Sequence, residues 1–166
     1  MKTKELTISA MLTMVLYGAY ILFSQVLYLE AVTFVTLLIA LLFPLKISVL
    51  AAFSFGILNI LLNGLFPWTI MYLILFPLYM LIGNKLKNKI LSSELMMVIV
   101  VFLFSFLLGQ LVDLPFVLFS GKLTAIYLLL GFKTSLIQGF ISAMLANFLF
   151  KKAYDRIYRY LRGKNL

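Results

Sequence analysis

The chain reads as long apolar runs separated by short polar or helix-breaking stretches. Six runs stand out, at 6–28, 32–45, 47–65, 67–83, 95–112 and 123–150. A helix needs about 20 apolar residues to cross a bilayer core, within a range of about 17 to 25. Five runs reach that range. The second is short, and its joint with the third, Phe43-Pro44-Leu45-Lys46, is tight. It is therefore expected to tilt, to re-enter, or to pack inside the bundle. Gly64 through Pro67 separates the third run from the fourth, and Leu114-Pro115 with Gly121 separates the fifth from the sixth. Lipid offers no partner to backbone polar groups, so such runs fold as helices. No internal repeat and no low-complexity linker interrupts them. The expected architecture is a single all-α domain over 1–166 with six transmembrane helices.

Composition agrees with that pattern. Of the 166 residues, 64% are hydrophobic and 11% charged, whereas a soluble domain carries about 25% charged residues. The surface of a soluble fold could not be covered with what is left. The first run has a basic start, Lys2 and Lys4, but no small-residue cleavage site before a polar mature domain, so it reads as a retained helix.

Charge then orients the spans. Twelve of the fourteen basic residues fall at the N-terminus, at Lys46, at Lys85, Lys87 and Lys89, and in the tail from Lys151 to Lys164. Under six spans all twelve share one side. Lys122 is on the other side, and Lys133 is inside the last run. By the positive-inside rule both termini are cytoplasmic. The net charge of +9 is thus topology, and nucleic acid is not an expected partner.

Orientation assigns a depth to each polar residue. Tyr28 ends the first run, and Glu30 follows it in the outer loop. Asn59 and Asn63 end the third, and Trp68 and Tyr72 begin the fourth. Asp113 follows the fifth, while Lys133 and Gln138 lie in the sixth. All fall in the outer half, where they suggest a pocket open to the outside. Polar groups in hydrocarbon are costly and should face one another or water. Trp68 and Tyr72, at i and i+4, share a face and suit stacking on a flat ring. Competing readings stand beside these. Trp68 and Tyr28 also fit an interfacial aromatic belt. The amides also fit bridges between helices. Asp113 also fits a pair with Lys122, and Lys133 also fits a snorkelling cation. Pro77 is expected to kink the fourth helix and to free the Leu73 carbonyl. On the first helix Ser9, Ala10 and Thr13 form a small-residue patch. It serves packing within the bundle or docking of a second membrane protein.

Histidine and cysteine are both absent. That removes the commonest general base, thiol nucleophiles and the usual metal clusters. No phosphate-cradling glycine loop is present. The expectation is no enzyme activity, no metal, and no cofactor bound by this chain. Uphill transport would then require an ion gradient or a partner ATPase.

Three stretches carry a likeness: "ELTISAMLTMVLYGAYILF", "LLIALLFPLKISVLAAFSFGILNILL" and "FPLYMLIGNKLKNKI". With its size and basic tail, the chain resembles the substrate-binding S components of energy-coupling factor (ECF) vitamin transporters. The resemblance implies a binding subunit of an ECF-type ABC importer in the bacterial cytoplasmic membrane. It implies capture of a water-soluble vitamin or precursor, with a hydroxymethylpyrimidine- or pyridoxine-like compound the favoured guess. It further implies an EcfT-type coupling protein and two ATPase subunits that use ATP. Family members dock through Ala-x-x-x-Ala on the first helix. Here Ala10 is followed by Met14, and Ser9 with Thr13 supplies a small-x-x-x-small substitute. The family's pocket elements fall on Tyr28, Glu30, Trp68, Tyr72, Asp113, Lys122, Lys133 and Gln138. Two alternatives remain: a structural membrane protein of the cell-shape machinery, similar to the rod-shape factor MreD, and a stand-alone small-solute permease.

Overall fold

A computed structural model of the chain describes residues 3–25 and 32–163. Its described residues form helices α1 (Thr3–Ser24), α2 (Val32–Leu42), α3 (Leu45–Asn63), α4 (Pro67–Lys85), α5 (Lys87–Ser92), α6 (Glu94–Leu111) and α7 (Gly121–Gly163), with a 3-10 turn at Leu114–Leu118. Helices α1, α3, α4, α6 and α7 are each long and apolar enough to cross a membrane. Their outward faces carry large apolar side chains, Leu22, Leu61, Leu129, Leu130 and Phe148 among them. That is the inverse of a soluble surface and suits a lipid solvent.

The second apolar run departs from a simple span. Helix α2 has 11 residues, about 16 Å at 1.5 Å per residue, against a hydrocarbon core of about 30 Å. Pro44 ends it, because the residue before a proline is pushed out of helical geometry. The chain restarts at once: the Ile47 and Ser48 amides donate to the Pro44 carbonyl. The Ser48 hydroxyl reaches back to the Ile39 carbonyl at 3.3 Å. Helix α2 packs against all five long helices, and Leu37, Ala40 and Leu41 are fully buried. It is the centre of the core.

Hydrogen bonds between helices give the topology. The Ser9 hydroxyl donates to the Ile47 carbonyl at 3.2 Å, and one turn later Thr13 donates to Ala51 at 3.1 Å. The same offset repeated along both helices means that α1 and α3 run parallel. Helix α4 turns back on α3 through Gly64, whose φ of 93° favours glycine. The Thr69 hydroxyl accepts from the Phe66 amide at 2.9 Å and donates towards the Gly64 carbonyl at 3.0 Å, which secures that turn. Helices α6 and α7 are antiparallel. Gln110 donates to Ser135 at 2.8 Å, Ser142 to Ser105 at 3.0 Å, and Lys151 pairs with Glu94 at 2.7 Å. Pro77 lies inside α4, which continues through it from Pro67 to Lys85.

Tyr79 joins the two halves. Its hydroxyl donates to the Phe104 carbonyl at 2.9 Å, and the two rings stack at 4.2 Å. Tyr79→Phe should keep the stack and lose that bond. A loss of about 0.5–1.5 kcal/mol is expected, read as a lower thermal midpoint in mild detergent. An unchanged midpoint would mean that this bond contributes nothing to the α4–α6 contact.

The charged helix ends converge. Lys4, Leu45, Asn84, Lys87 and Leu161 border one groove, and Ile90, Glu94 and Lys151 border another. The start of α1, the α2–α3 joint, the α4–α5 joint, the start of α6 and the tail of α7 therefore share one basic end. The tail is no separate element. Helix α7 has 43 residues, about 65 Å, more than twice the thickness of a bilayer core.

Candidate functional site

At the end of the bundle opposite the basic one, α3 and α4 bring four candidate residues together. Asn59 and Asn63 are one turn apart on α3. Asn63 donates to the Asn59 side-chain oxygen at 3.2 Å, and Asn59 donates to the Phe55 carbonyl at 3.0 Å. Asn59 is fully buried, and Asn63 is half-buried. Trp68, Tyr72 and Phe76 follow at i, i+4 and i+8 on α4 and meet edge to face at 5.5 and 5.2 Å. Phe66 stacks parallel on Trp68 at 6.2 Å. Phe55 stacks on Tyr72. Asn59 lies one turn beyond Phe55, and Trp68 one turn beyond Tyr72, so the amide and the indole share a level.

Helix α1 completes this cluster with a residue that the depth argument did not select. Tyr20 meets Tyr72 at 5.9 Å and Phe55 at 6.1 Å, both edge to face, with Tyr17 beside it at 6.0 Å. The clue in the sequence was available: Tyr17 and Tyr20 are three apart in the same half of the first run as Gln25. The result is an aromatic wall from three helices with two carboxamides at its end. Edge-to-face contacts of this kind hold ring orientations, and Phe66 lies against one face of Trp68 and Phe55 against one face of Tyr72.

The remaining candidates lie elsewhere. Asp113 follows Val112, the C-cap of α6, and begins the 3-10 turn, its carbonyl accepting from the Phe116 amide at 3.1 Å. That turn packs against α4 as well as α7. Gln138 is half-buried beside Gly109 of α6. Lys133 is exposed. It is two positions from Ser135, which is buried against α6, and two helical steps are about 200° of rotation, so Lys133 faces away from α6. Among the described residues Asp113 and Lys122 form no ion pair; the pair present is Lys151–Glu94. Tyr28 and Glu30 lie outside the described residues.

Polar groups within the helices are satisfied. Among the described residues no buried side-chain nitrogen or oxygen lacks a hydrogen bond. The Asn59–Asn63 and Gln110–Ser135 contacts thus also hold helices in register, as polar groups do in membranes.

The small-residue patch of α1 divides. Ser9 and Thr13 are buried, with their hydroxyls on α3 carbonyls. Ala10 is exposed and borders a shallow groove with Met14, Ser54, Ile57 and Leu61. Thr13→Val, which keeps the shape and removes the donor, should cost about 0.6 kcal/mol, the usual worth of a hydrogen bond between membrane helices. Thermal unfolding beside wild type would register it, and a larger loss would mean that Thr13 carries more than this contact. No protein-family model, no curated protein and no solved structure matches the chain.

Proposed function

We propose that this chain is a membrane-embedded binding subunit of the energy-coupling factor type. It captures a small, flat, water-soluble vitamin or precursor, of hydroxymethylpyrimidine or pyridoxine type, at the aromatic end of the bundle. Both termini and the basic end face the cytoplasm, and α2 is the short second element of a six-helix topology. An EcfT-type coupling protein and two ATPases supply the energy in a bacterial cytoplasmic membrane.

The observation that carries this reading is the cluster of Tyr20, Tyr72 and Trp68 with Asn59 and Asn63, at the end opposite the basic one. Rings bind a flat heterocycle by stacking, and carboxamides supply both donor and acceptor to its edge. Pockets for small ligands combine those two features. Asp113 stands beside the same end and offers an acceptor to a ligand hydroxyl or amine. Of the proposed docking face, Ala10 is the exposed member, and partner contact is assigned to it and the α3 groove beside it.

The test is co-expression of the tagged chain with an EcfT-type protein and two ATPases, followed by gentle solubilisation and capture. A stoichiometric four-protein complex, with a small molecule released on denaturation and identified by mass spectrometry, is the expected result. A second reading has its own support. Among the described residues every buried polar side chain already has a partner, which suits a purely structural membrane protein of the MreD kind. If the module captures a known S component in parallel but not this chain, that reading takes over. Ala10→Leu should leave the thermal midpoint near that of wild type and abolish capture. Unimpaired capture by that variant would place docking on another face.

A further inference from the structure

The groove at the basic end has the layout of a lipid site. It extends along α1 from Lys4 to Val15 and is closed by the α2–α3 joint, the α4–α5 joint and Leu161 of α7. Its volume is about 700 Å³. Ile8, Met11, Leu12 and Val15 form one continuous apolar wall, with Leu42, Phe43 and Pro44 opposite. The polar members collect at one end: Lys4, Glu5, Asn84 and Lys87. Asn84 is engaged with the Ala40 carbonyl at 3.0 Å. Neither Lys4 nor Lys87 makes an ion pair among the described residues. Lys46 and Lys85, both exposed, adjoin the groove in sequence and outweigh Glu5 in the local field.

We infer that this groove holds one anionic phospholipid, with its phosphate between Lys4 and Lys87 and an acyl chain along α1. Three features select this occupant. Lys4 to Val15 is eleven helical steps, about 16 Å, which matches one leaflet of a core about 30 Å thick. The polarity changes once along that length, as it does along a phospholipid. The charge at the polar end is positive, and basic pockets between helices on the cytoplasmic side bind anionic headgroups. The site is at the opposite end from the aromatic cluster, so it stands or falls independently of the proposed ligand capture.

The test is native mass spectrometry of the purified chain in mild detergent, titrated with dioleoyl phosphatidylglycerol and, separately, dioleoyl phosphatidylcholine. One phosphatidylglycerol should bind at least about tenfold more tightly than phosphatidylcholine. The double variant Lys4→Gln, Lys87→Gln should lose about 30-fold, in line with the attraction of two juxtamembrane lysines to anionic lipid. Lys122→Gln, at the far end, should bind as wild type. Val15→Trp should fill the apolar floor and weaken both lipids. Equal affinity for the two lipids, a preference that survives the double variant, or an equal loss in Lys122→Gln would overturn the proposal. Displacement of the lipid by glycerol phosphate at the same concentration would also overturn it, since the site would then need no acyl chain.

Discussion

Gly56→Ala should lower the thermal midpoint by about 2–8 °C, and Gly56→Leu should prevent the protein from accumulating. Helices α3 and α4 approach so closely at Gly56 that a Cβ there would stand 2.6 Å from the Leu73 Cα and 3.0 Å from its nitrogen. Both are backbone atoms, so no side-chain rotation relieves the clash. One helix must move away from the other, which separates Phe55 from Tyr72 and Phe76. Overpacking of this kind costs about 1–3 kcal/mol. Alanine recovers up to about 1 kcal/mol through its better helix propensity, so the net loss is about 1–2 kcal/mol. For a chain of this size each kcal/mol moves the midpoint by about 2–4 °C. Gly18 is the control, since a Cβ there meets nothing within 4 Å, and Gly18→Ala should be neutral or slightly stabilising. Thermal unfolding in one detergent decides between them. Equal midpoints for wild type and Gly56→Ala would refute the close α3–α4 contact.

Trp68→Ala should weaken ligand binding by about 30-fold or more and leave the fold intact, whereas Trp68→Phe should retain binding within about fivefold. Truncating an aromatic anchor at the centre of a binding site typically costs 2 kcal/mol or more, about 30-fold in affinity. Trp68 is the right residue to truncate because it is half-buried at the open end of the cluster. Tyr72 is a poorer choice. Its ring touches Tyr20, Phe55 and Phe76, so its loss mixes packing with binding. Trp68 is also the single tryptophan, and its fluorescence reports directly on a ligand at this end. The ligand extracted from the four-protein complex is the titrant. Unchanged affinity in Trp68→Ala would remove the aromatic end as the binding site. Loss of binding with a collapsed thermal midpoint would assign Trp68 to the fold.

The long helices were legible because their boundaries rest on local physics. Pro67 opens α4, Gly64 breaks α3, and apolar runs of sufficient length leave no other structure in lipid. The fourth run was expected to end at position 83 and ends at Lys85, within the ordinary fraying of a helix end. Part of the candidate site was legible for a related reason. Asn59, Asn63, Trp68 and Tyr72 flank one short turn, so their depth is set by sequence distance from Gly64. Tyr20 was missed because, although its depth could be read from the first run, its meeting with Phe55 and Tyr72 depends on α1 lying parallel to α3, a long-range contact that the run itself does not show. Lys133 and Gln138 share a depth with the cluster, but depth is only one coordinate. The rotation of α7 about its axis places Ser135 against α6 and turns Lys133 away.

By itself the sequence determined the solvent, the helical class and the separation of a basic end from an aromatic end. These follow from composition and from the length of apolar runs, and each residue contributes to them independently. Tertiary structure decided which apolar faces meet lipid and which meet protein. To a hydropathy pattern, α2 and α3 are the same kind of segment, since lipid and a protein core are equally apolar. Only contact with five neighbouring helices makes α2 the buried centre. Only the fit of Gly56 against Leu73 and of Ser9 and Thr13 against α3 sets the helices in the order that gathers the aromatic cluster.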